Sequence, residues 1–249
     1  MTAIHLPVGE LQDALARVKA SISNEETRYY LCGVNIRPTK GGAIVQSTDG
    51  HRLTRVKINA DVPAFASVVI SRNTVSDIQK HIKRSDRNFT ATILLGDEKK
   101  ILLPRGVELP LQLIEGQAFP DCDRVIPSLD DKTIATVDKK DFLRCVAAVH
   151  GFAEGAGHQC LKLTFAGEKL VFTATADGGT AKMEMNCDRG ETHDGFAIGF
   201  NGRYLTDFAK RIWSDQINIH LSDAGSPTRF SGVGSGDEHE TFVLMPMRV

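Results

Sequence analysis

A carboxylate and an imidazole stand two residues apart in segment 48–51, Thr48-Asp49-Gly50-His51. Asp and His are groups that general acid–base catalysis uses, so the segment raises the hypothesis of a hydrolase. Asp-Gly after a strand-like run is also a turn signal, and the corresponding segment 175–179 in the second half of the chain has no histidine. The pattern therefore favours a loop. We expect no enzymatic activity, and unaltered function after the substitution His51→Gln would remove the hydrolase hypothesis.

Other residues that could take part in catalysis or bind a metal do not form a recognisable site. The five cysteines are odd in number and include no CxxC pair, which argues against a disulfide framework and against a zinc site. The chain has no P-loop, no GxSxG elbow and no HExxH motif. The glycine-rich segment 232–236 lies between strand-like runs and opens no helix, which is typical of a hairpin tip. We therefore expect reduced, mostly buried cysteines, no metal and no cofactor.

The end of the chain is unusually apolar. Segment 242–249 reads as a strand that runs into Met245-Pro246-Met247, where termini are usually polar. Paired methionines offer an adaptable apolar surface that suits the docking of several peptides. A final core strand with a hydrophobic stub explains the same composition, so both interpretations stay open here.

The elements that must position these residues occur twice, at an offset of about 130 residues. Apolar spacing predicts helices over 9–23 and 72–84 in the first half, and over 139–150 and 202–213 in the second. Strand-like runs follow each helix: 29–36, 43–47, 68–70, 90–95 and 100–103, then 160–165, 169–174, 197–201, 217–221, 228–232 and 241–245. With a junction at 127–131, we predict an α+β fold of two domains, 1–127 and 128–249, each with two helices packed on antiparallel sheets. Chance similarity of two α+β domains is the alternative.

Composition and charge limit the class of protein. The chain has 249 residues, 41% hydrophobic and 24% charged, with a net charge of −1. It contains no run of eighteen apolar residues and no signal-peptide pattern, so we expect a soluble, cytoplasmic protein without a membrane partner. The four predicted helices, however, contain twelve basic and five acidic residues, a net charge of +7. This leaves a net charge of −8 on the rest of the chain.

This segregated charge predicts binding to a phosphate backbone without sequence readout. A solvated helix face is the ordinary alternative for any single helix. The helix-borne cations expected to face DNA are Arg17, Lys19, Lys80, Lys83, Arg84, Arg144, Arg203, Lys210 and Arg211.

Six short strings resemble the beta subunit of bacterial DNA polymerase III, the sliding-clamp family. They are RYYLCGV at 28–34, TDGHRL at 48–53, FPD at 119–121, RVIP at 124–127, FNGRYL at 200–205 and VLMPMR at 243–248. The resemblance covers nearly the whole chain and implies a DNA-clamp (processivity) fold. In that family a closed ring of like domains surrounds duplex DNA, has no enzymatic activity, and tethers DNA polymerase and other proteins through short peptide motifs.

The resemblance also implies functional residues. Arg28, Tyr29 and Tyr30 would lie near DNA; the alternative is that both tyrosines simply pack and hydrogen-bond at a strand start. The family's peptide groove forms where its second and third domains meet. Carried over, the groove would use Leu31, Thr48, Gly50, His51, Arg52, Leu53, Pro120, Arg124, Val125, Asn201, Tyr204, Val243, Met245, Pro246, Met247 and Arg248.

The chain departs from the family in length. The family has three domains, and this sequence corresponds to the second and third only. We therefore expect a homotrimer ring, because three two-domain chains supply as many domains as two three-domain chains. The expected partners are double-stranded DNA, DNA polymerase, other proteins with clamp-binding motifs and a clamp-loader ATPase. The alternative is an adaptor or decoy that binds clamp-interacting peptides without encircling DNA.

Overall fold

The chain is arranged as two compact units, Met1–Asp121 and Cys122–Val249. The computed structural model describes residues 2–128, 133–155, 157, 159–176, 178–189, 194–234 and 239–248. In this described part, all five cysteines are free thiols, and Cys122, Cys145 and Cys187 are buried. No helix there is long and apolar enough to cross a membrane.

Unit 1 contains two helices and eight strands. The helices are α1 (Val8–Val18) and α2 (Arg72–His81). The strands are β1 (Thr2–Pro7), β2 (Gly33–Thr39), β3 (Gly42–Thr48), β4 (Arg52–Asn59), β5 (Val68–Ser71), β6 (Thr90–Leu95), β7 (Lys100–Leu103) and β8 (Val107–Pro110). They form two antiparallel arrays, in the orders β1-β6-β7-β8 and β4-β3-β2-β5.

Unit 2 repeats this plan. Its helices are α3 (Lys139–Gly155) and α4 (Gly202–Ala209). Its strands are β9 (Thr133–Asp138), β10 (Cys160–Ala166), β11 (Lys169–Ala176), β12 (Gly179–Asn186), β13 (Asp188–Arg189), β14 (Ala197–Asn201), β15 (Gln216–His220), β16 (Thr228–Gly232) and β17 (Glu240–Leu244). The antiparallel arrays here have the orders β12-β11-β10-β14 and β13-β9-β15-β16-β17. The predicted α+β class, with helices on antiparallel sheets in each half, is confirmed.

Local signals explain where the helices begin. Ser71 and Asn201 cap α2 and α4, each accepting backbone N–H bonds from the first turn. Asp138 Oδ1 accepts from the backbone N–H of Asp141, 2.9 Å away, at the start of α3. Helix α1 has no side-chain cap, and its first N–H groups donate instead to the backbone carbonyls of 87 and 89.

Several predicted boundaries were wrong. Segment 29–36 was predicted as one strand, but Glu26–Leu31 forms a 3-10 helix and β2 begins only at Gly33. Helix α2 ends at His81, and a separate 3-10 turn, Arg84–Asp86, follows it. Strands β4, β8, β9, β12 and β13 carried no prediction. The predicted hairpin tip 232–236 begins where β16 ends, but Ser235 and Gly236 lie outside the described residues.

A buried carboxylate holds the turn after α2. Asp86 accepts from the backbone N–H of Lys83 at 2.8 Å and from Arg105, whose Nη2 lies 2.9 Å from Oδ2. The Arg105 side chain, together with the backbone N–H, lowers the pKa of Asp86 to about 2. Arg105 Nη2 also donates to the carbonyl of His81, so it ties the end of α2 to the loop after β7.

Phe208 is the centre of an aromatic cluster in unit 2. Its ring centroid lies 4.3 Å from that of Phe230, 5.8 Å from Phe142 and 5.9 Å from Phe242.

Phe208→Ala should lower the free energy of unfolding by about 3–5 kcal/mol, because it leaves a cavity among fully packed rings. Urea denaturation followed by circular dichroism measures the loss. Phe89→Ala removes a ring that is 59% exposed and should change stability by at most about 0.5 kcal/mol; equal losses would contradict this assignment.

Asp86→Asn should destabilise unit 1 in a pH-dependent way. Since the folded pKa lies below the unfolded value, the carboxylate stabilises the fold above about pH 4, and this stabilisation is lost as pH falls towards 2. The difference in urea midpoint between wild type and variant should therefore shrink over that range. A difference that stays constant from pH 7 to pH 2 would show that the charge of Asp86 is not what stabilises the turn.

Candidate DNA and peptide interfaces

The 48–53 segment forms the tight connection between β3 and β4. Asp49 Oδ1 accepts from the backbone N–H groups of His51 and Arg52 at 2.9 and 3.0 Å, and Oδ2 accepts from Arg52 Nε at 2.9 Å. Thr48 Oγ1 donates to the carbonyl of Arg52 at 2.7 Å, and Gly50 has φ +90°. The Asp49 carboxylate therefore organises a turn, as predicted, and its oxygens accept backbone and Arg52 hydrogen bonds instead of a proton from the His51 ring.

Arg28 links this turn to the 3-10 helix Glu26–Leu31. Its Nη2 donates to the carbonyl of Asp49 at 3.0 Å, and its Nε donates to Glu25 Oε2 at 2.8 Å. Hydrogen bonds from Thr27 and Arg28 lower the pKa of Glu25, and the bond to Glu25 raises the pKa of Arg28. The positive φ of Gly50 favours glycine, and a Cβ there would also lie 2.6 Å from the Arg28 guanidinium.

The two tyrosines after Arg28 differ in exposure. Tyr29 is 44% exposed, whereas Tyr30 is half-buried, and the rings meet edge to face with centroids 5.9 Å apart. Tyr29 also lines a cleft of about 500 Å³ in unit 1. The cleft is formed by Ser23, Asn24, Glu26, Tyr29, Cys32, Ser71, Arg72, Asn73 and Ile114. Sequence reasoning missed it because its wall comes from three distant segments.

The remaining candidates for the peptide groove in unit 1 fall into a buried group and an exposed group. Leu31 and Leu53 are each 3% exposed and Thr48 is nearly buried, so these side chains support the turn from beneath. Gly50, His51 and Pro120 are exposed, and the Arg52 side chain is only 13% exposed. The accessible part of this candidate site is therefore the tip of the turn.

The candidates in unit 2 centre on the end of the chain. Val243 is buried in β17, whereas Met245 and Met247 are 40% and 37% exposed. The N–H of Met247 donates to the carbonyl of Gly199 at 2.8 Å, which adds the tail to the outer edge of β14. The Cys160 thiol donates to the carbonyl of Arg248. The strand of the tail therefore belongs to the core, and the two methionines after it are accessible on a backbone that is bonded to β14.

Four more candidates lie at the start of α4 or at the start of unit 2. Asn201 caps α4, and its Nδ2 donates to Gln159 Oε1 at 2.9 Å, so its polar atoms have structural roles. Tyr204 is partly buried against the unit 2 core. Arg124 and Val125 are exposed in the 3-10 turn Cys122–Val125.

The predicted concentration of positive charge in the helices was wrong. Within their observed bounds, the four α-helices contain seven basic and six acidic residues. The first, second and fourth helices end earlier than predicted, and α3 extends to include Glu154. The cations fall instead in the turns that follow the helices: Lys19, Lys83, Arg84, Lys210 and Arg211. Cations there also interact favourably with the helix dipole.

Arg17 must be removed from the predicted DNA-facing set. It is only 6% exposed, since it lies among the buried positions of α1. Other members of the set have acidic partners: Lys80 pairs with Asp77 at 3.0 Å, and Arg144 with Asp141 at 3.1 Å. Arg211 donates to the carbonyl of Asp207, and Lys19 donates to Gln79 Oε1 at 3.2 Å.

Four cations of the set remain exposed and make no ion pair within the described ranges: Lys83, Arg84, Arg203 and Lys210. Lys83 lies two residues after the end of α2, and Lys210 directly follows α4. Unpaired surface cations can exchange their counterions for phosphates at little cost. No group of three or more potential metal ligands occurs in the part of the chain that the structure describes.

Comparison with known proteins agrees with this repeated arrangement. A family profile for the DNA polymerase III beta subunit, central domain, matches residues 5–121, and one for the C-terminal domain of the same subunit matches 123–248. The beta sliding clamp of Caulobacter vibrioides (strain NA1000 / CB15N) is 30% identical over 254 residues, covering 99% of this chain and 66% of the relative. That of Chlamydia muridarum is 27% identical, covering 96% and 63%. The chain thus spans about two thirds of the length of these curated relatives.

Solved structures show the same fold. A sliding clamp (DNA polymerase III subunit beta) from Bartonella birtlesii, bound to griselimycin, is 30% identical with a TM-score of 0.88, covering 100% of this chain and 66% of its own. A DNA polymerase sliding clamp from Pseudomonas aeruginosa, with ligand, has a TM-score of 0.89 at 21% identity and the same coverage, which supports the fold alone. Because the two family profiles match nearly the whole chain in order, this chain belongs to the DNA polymerase III beta-subunit family.

Proposed function

We propose that this chain is the subunit of a sliding clamp. Copies of it, three in a closed ring, encircle duplex DNA without reading sequence and tether DNA polymerase and other replication or repair proteins. A clamp-loader ATPase opens the ring onto DNA. The observation that carries the proposal is that each of two units of one chain that belongs to this family has, within two residues of the end of its second helix, an exposed lysine that makes no ion pair with a described residue.

Electrostatics supports binding to the DNA backbone. Lys83, Arg84, Arg203 and Lys210 have no acidic partner to displace among the described residues, so each can neutralise a phosphate and release a counterion. None of them belongs to a recognition helix or to another base-reading motif. Binding of this kind is independent of sequence and weakens steeply with salt, which suits a ring that slides.

Two surfaces support the capture of peptide partners. One is the turn of 48–53, where Gly50 and His51 are exposed above a rigid hydrogen-bonded base. The other is the docked tail with Met245 and Met247, whose partly exposed thioethers adapt to different apolar side chains. The related clamp from Bartonella birtlesii is bound to griselimycin, so a member of this family takes a ligand.

No enzymatic activity belongs to this proposal. Asp49, the candidate base two residues before His51, accepts hydrogen bonds from backbone N–H groups and from Arg52. A carboxylate in that arrangement stabilises a turn, and the proposed clamp acts by tethering. The alternative function is an adaptor or decoy that keeps the peptide surfaces but does not encircle DNA; the free cations favour the clamp.

The clamp should be retained on nicked circular DNA after loading and lost when that DNA is linearised, because a ring slides off ends. Retention of equal extent on both forms would support a surface-binding adaptor instead.

The variant Lys83→Glu/Lys210→Glu should reduce the slope of log affinity against log salt by about two, one for each phosphate that is no longer neutralised. Lys40→Glu/Lys162→Glu, with the same change in charge at exposed positions in a hairpin and a strand, is the matched control.

Met245→Ala/Met247→Ala should weaken binding of a clamp-interacting peptide by roughly a hundredfold. Each thioether side chain that a bound peptide would cover accounts for about tenfold of this loss. Fluorescence anisotropy with a labelled peptide measures this loss. Sedimentation should show unchanged assembly, because both side chains are partly exposed beyond β17. Loss of assembly with intact peptide binding would show instead that the tail is a structural strand end. Met183→Ala, at a methionine in β12, controls for general loss of methionine.

A further inference from the structure

Each unit exposes one large aromatic ring that neither proposed surface uses. Trp213 is 64% exposed and Phe89 is 59% exposed, which makes them the most exposed large hydrophobic side chains in the described part of the chain. A single exposed ring is common on a protein surface and needs no explanation. Here, however, the two rings recur at corresponding places of a repeated unit.

Both rings lie in the connection between the second helix of a unit and the strand that follows it. This connection is 82–89 in unit 1, between α2 and β6, and 210–215 in unit 2, between α4 and β15. The strands that follow are themselves equivalent. Strand β6 pairs with β1, the first strand of unit 1, and β15 pairs with β9, the first strand described in unit 2.

Hydrogen bonds fix the backbone that presents each ring. The N–H of Phe89 donates to the carbonyl of Asp86 at 3.0 Å, and the carbonyl of Phe89 accepts from the N–H of Val8 at 2.9 Å. The N–H of Trp213 donates to Glu240 Oε1 at 3.3 Å. A ring on a fixed backbone loses little conformational entropy when a ligand covers it.

Each connection also carries a net positive charge. Segment 82–89 contains three basic residues and one acidic residue, Asp86, which is buried in its bonds to Arg105. Segment 210–215 contains two basic residues and one acidic residue, Asp215. In each segment an exposed lysine, Lys83 or Lys210, makes no ion pair with a described residue. Every connection therefore combines an exposed ring with a cation that can bind a phosphate.

This combination matches the two parts of a single strand of DNA. Proteins that hold single strands without reading sequence bind the phosphates with cations and stack the bases on aromatic rings. In a duplex the bases are already stacked on one another, so only an unpaired strand offers base faces to these rings. An apolar protein partner would need a continuous apolar surface, whereas the neighbours of Phe89 are the exposed polar residues Asn88 and Thr90.

We propose that Phe89 and Trp213 each stack on a base of single-stranded DNA, while Lys83 and Lys210 contact the phosphates of that strand. This inference rests on the proposed function and adds an unpaired strand to its duplex ligand. The template ahead of a primer end is unpaired, so a clamp that tethers a polymerase meets a single strand and a duplex together. Binding through rings and phosphates is independent of sequence.

The fluorescence of Trp213 tests the stacking directly, because it is the only tryptophan in the sequence. An oligonucleotide of thymidines should quench this fluorescence at low salt, since a base stacked on the indole quenches its emission. A blunt duplex of the same length and a clamp-interacting peptide should leave it unchanged. Equal quenching by the duplex would overturn stacking on unpaired bases. Quenching by the peptide alone would assign the ring to a protein-binding surface and overturn the proposal.

Substitutions that keep or remove the rings separate stacking from simple apolar contact. Phe89→Leu/Trp213→Leu should weaken binding of a labelled single strand about tenfold or more, because leucine has no π face. Phe89→Tyr/Trp213→Phe keeps both rings and should bind within about threefold of wild type. Neither variant should change the slope of log affinity against log salt, because stacking releases no counterion. Equal losses in the two variants, or wild-type affinity in the leucine variant, would overturn the stacking role.

Retention on nicked circular DNA separates failure of this inference from failure of the clamp. The leucine variant should be retained like the wild type, because the duplex offers no free base faces. Retention of the wild type without quenching of Trp213 by a single strand would overturn this inference and leave the clamp intact. Quenching without retention would support the stacking and overturn the ring. The absence of both would overturn both proposals.

Discussion

Each unit depends on the burial of two helices against antiparallel strands. Helix α1 contributes Leu11, Leu15 and Val18 to the unit 1 core, and α3 contributes Phe142, Val146 and Val149 to the unit 2 core. This burial stabilises the elements, since short helices are marginal alone in water. It also decides which side chains remain outside. A cation on the buried stripe, such as Arg17, is inaccessible to solvent, whereas a cation just beyond a helix end stays accessible.

Helix length consequently determines the electrostatics. When α2 and α4 end at His81 and Ala209, the lysines that follow them lie in turns instead of on a helix face. The structure gives these helices almost balanced charge and concentrates free cations behind them. Those turns are held firmly: Asp86 and Arg105 close the one after α2, and Arg211 bonds back to Asp207 after α4. The proposed phosphate contacts are therefore local features of each unit, fixed by hydrogen bonds within it.

The two peptide surfaces share a physical design. At the 48–53 turn and at the tail, polar groups are used up in backbone hydrogen bonds, which fixes the chain and leaves small or apolar groups accessible. Asp49 satisfies two N–H groups of the turn, and the tail bonds to Gly199 through Met247. A rigid surface of this kind binds with a smaller loss of conformational entropy than a mobile one. Asp49 and His51, which resemble a catalytic pair in the sequence, thereby gain a structural explanation.

Sequence alone determined the repeat, the α+β class and most element positions. Strands β6, β7 and β16 begin and end at the predicted residues, because alternating apolar residues and flanking turn signals are local properties. The short strings at 28–34, 48–53 and 243–248 pointed to the family because each is a contiguous stretch of characteristic residues, which the sequence shows directly.

Tertiary structure decided what local patterns do not encode. The 3-10 helix Glu26–Leu31 displaced a predicted strand, since Arg28 bonds to a turn twenty-one residues away in sequence. The burial of Arg17, the pairing of Lys80 and Arg144, and the wall of the unit 1 cleft all depend on packing or on side-chain geometry.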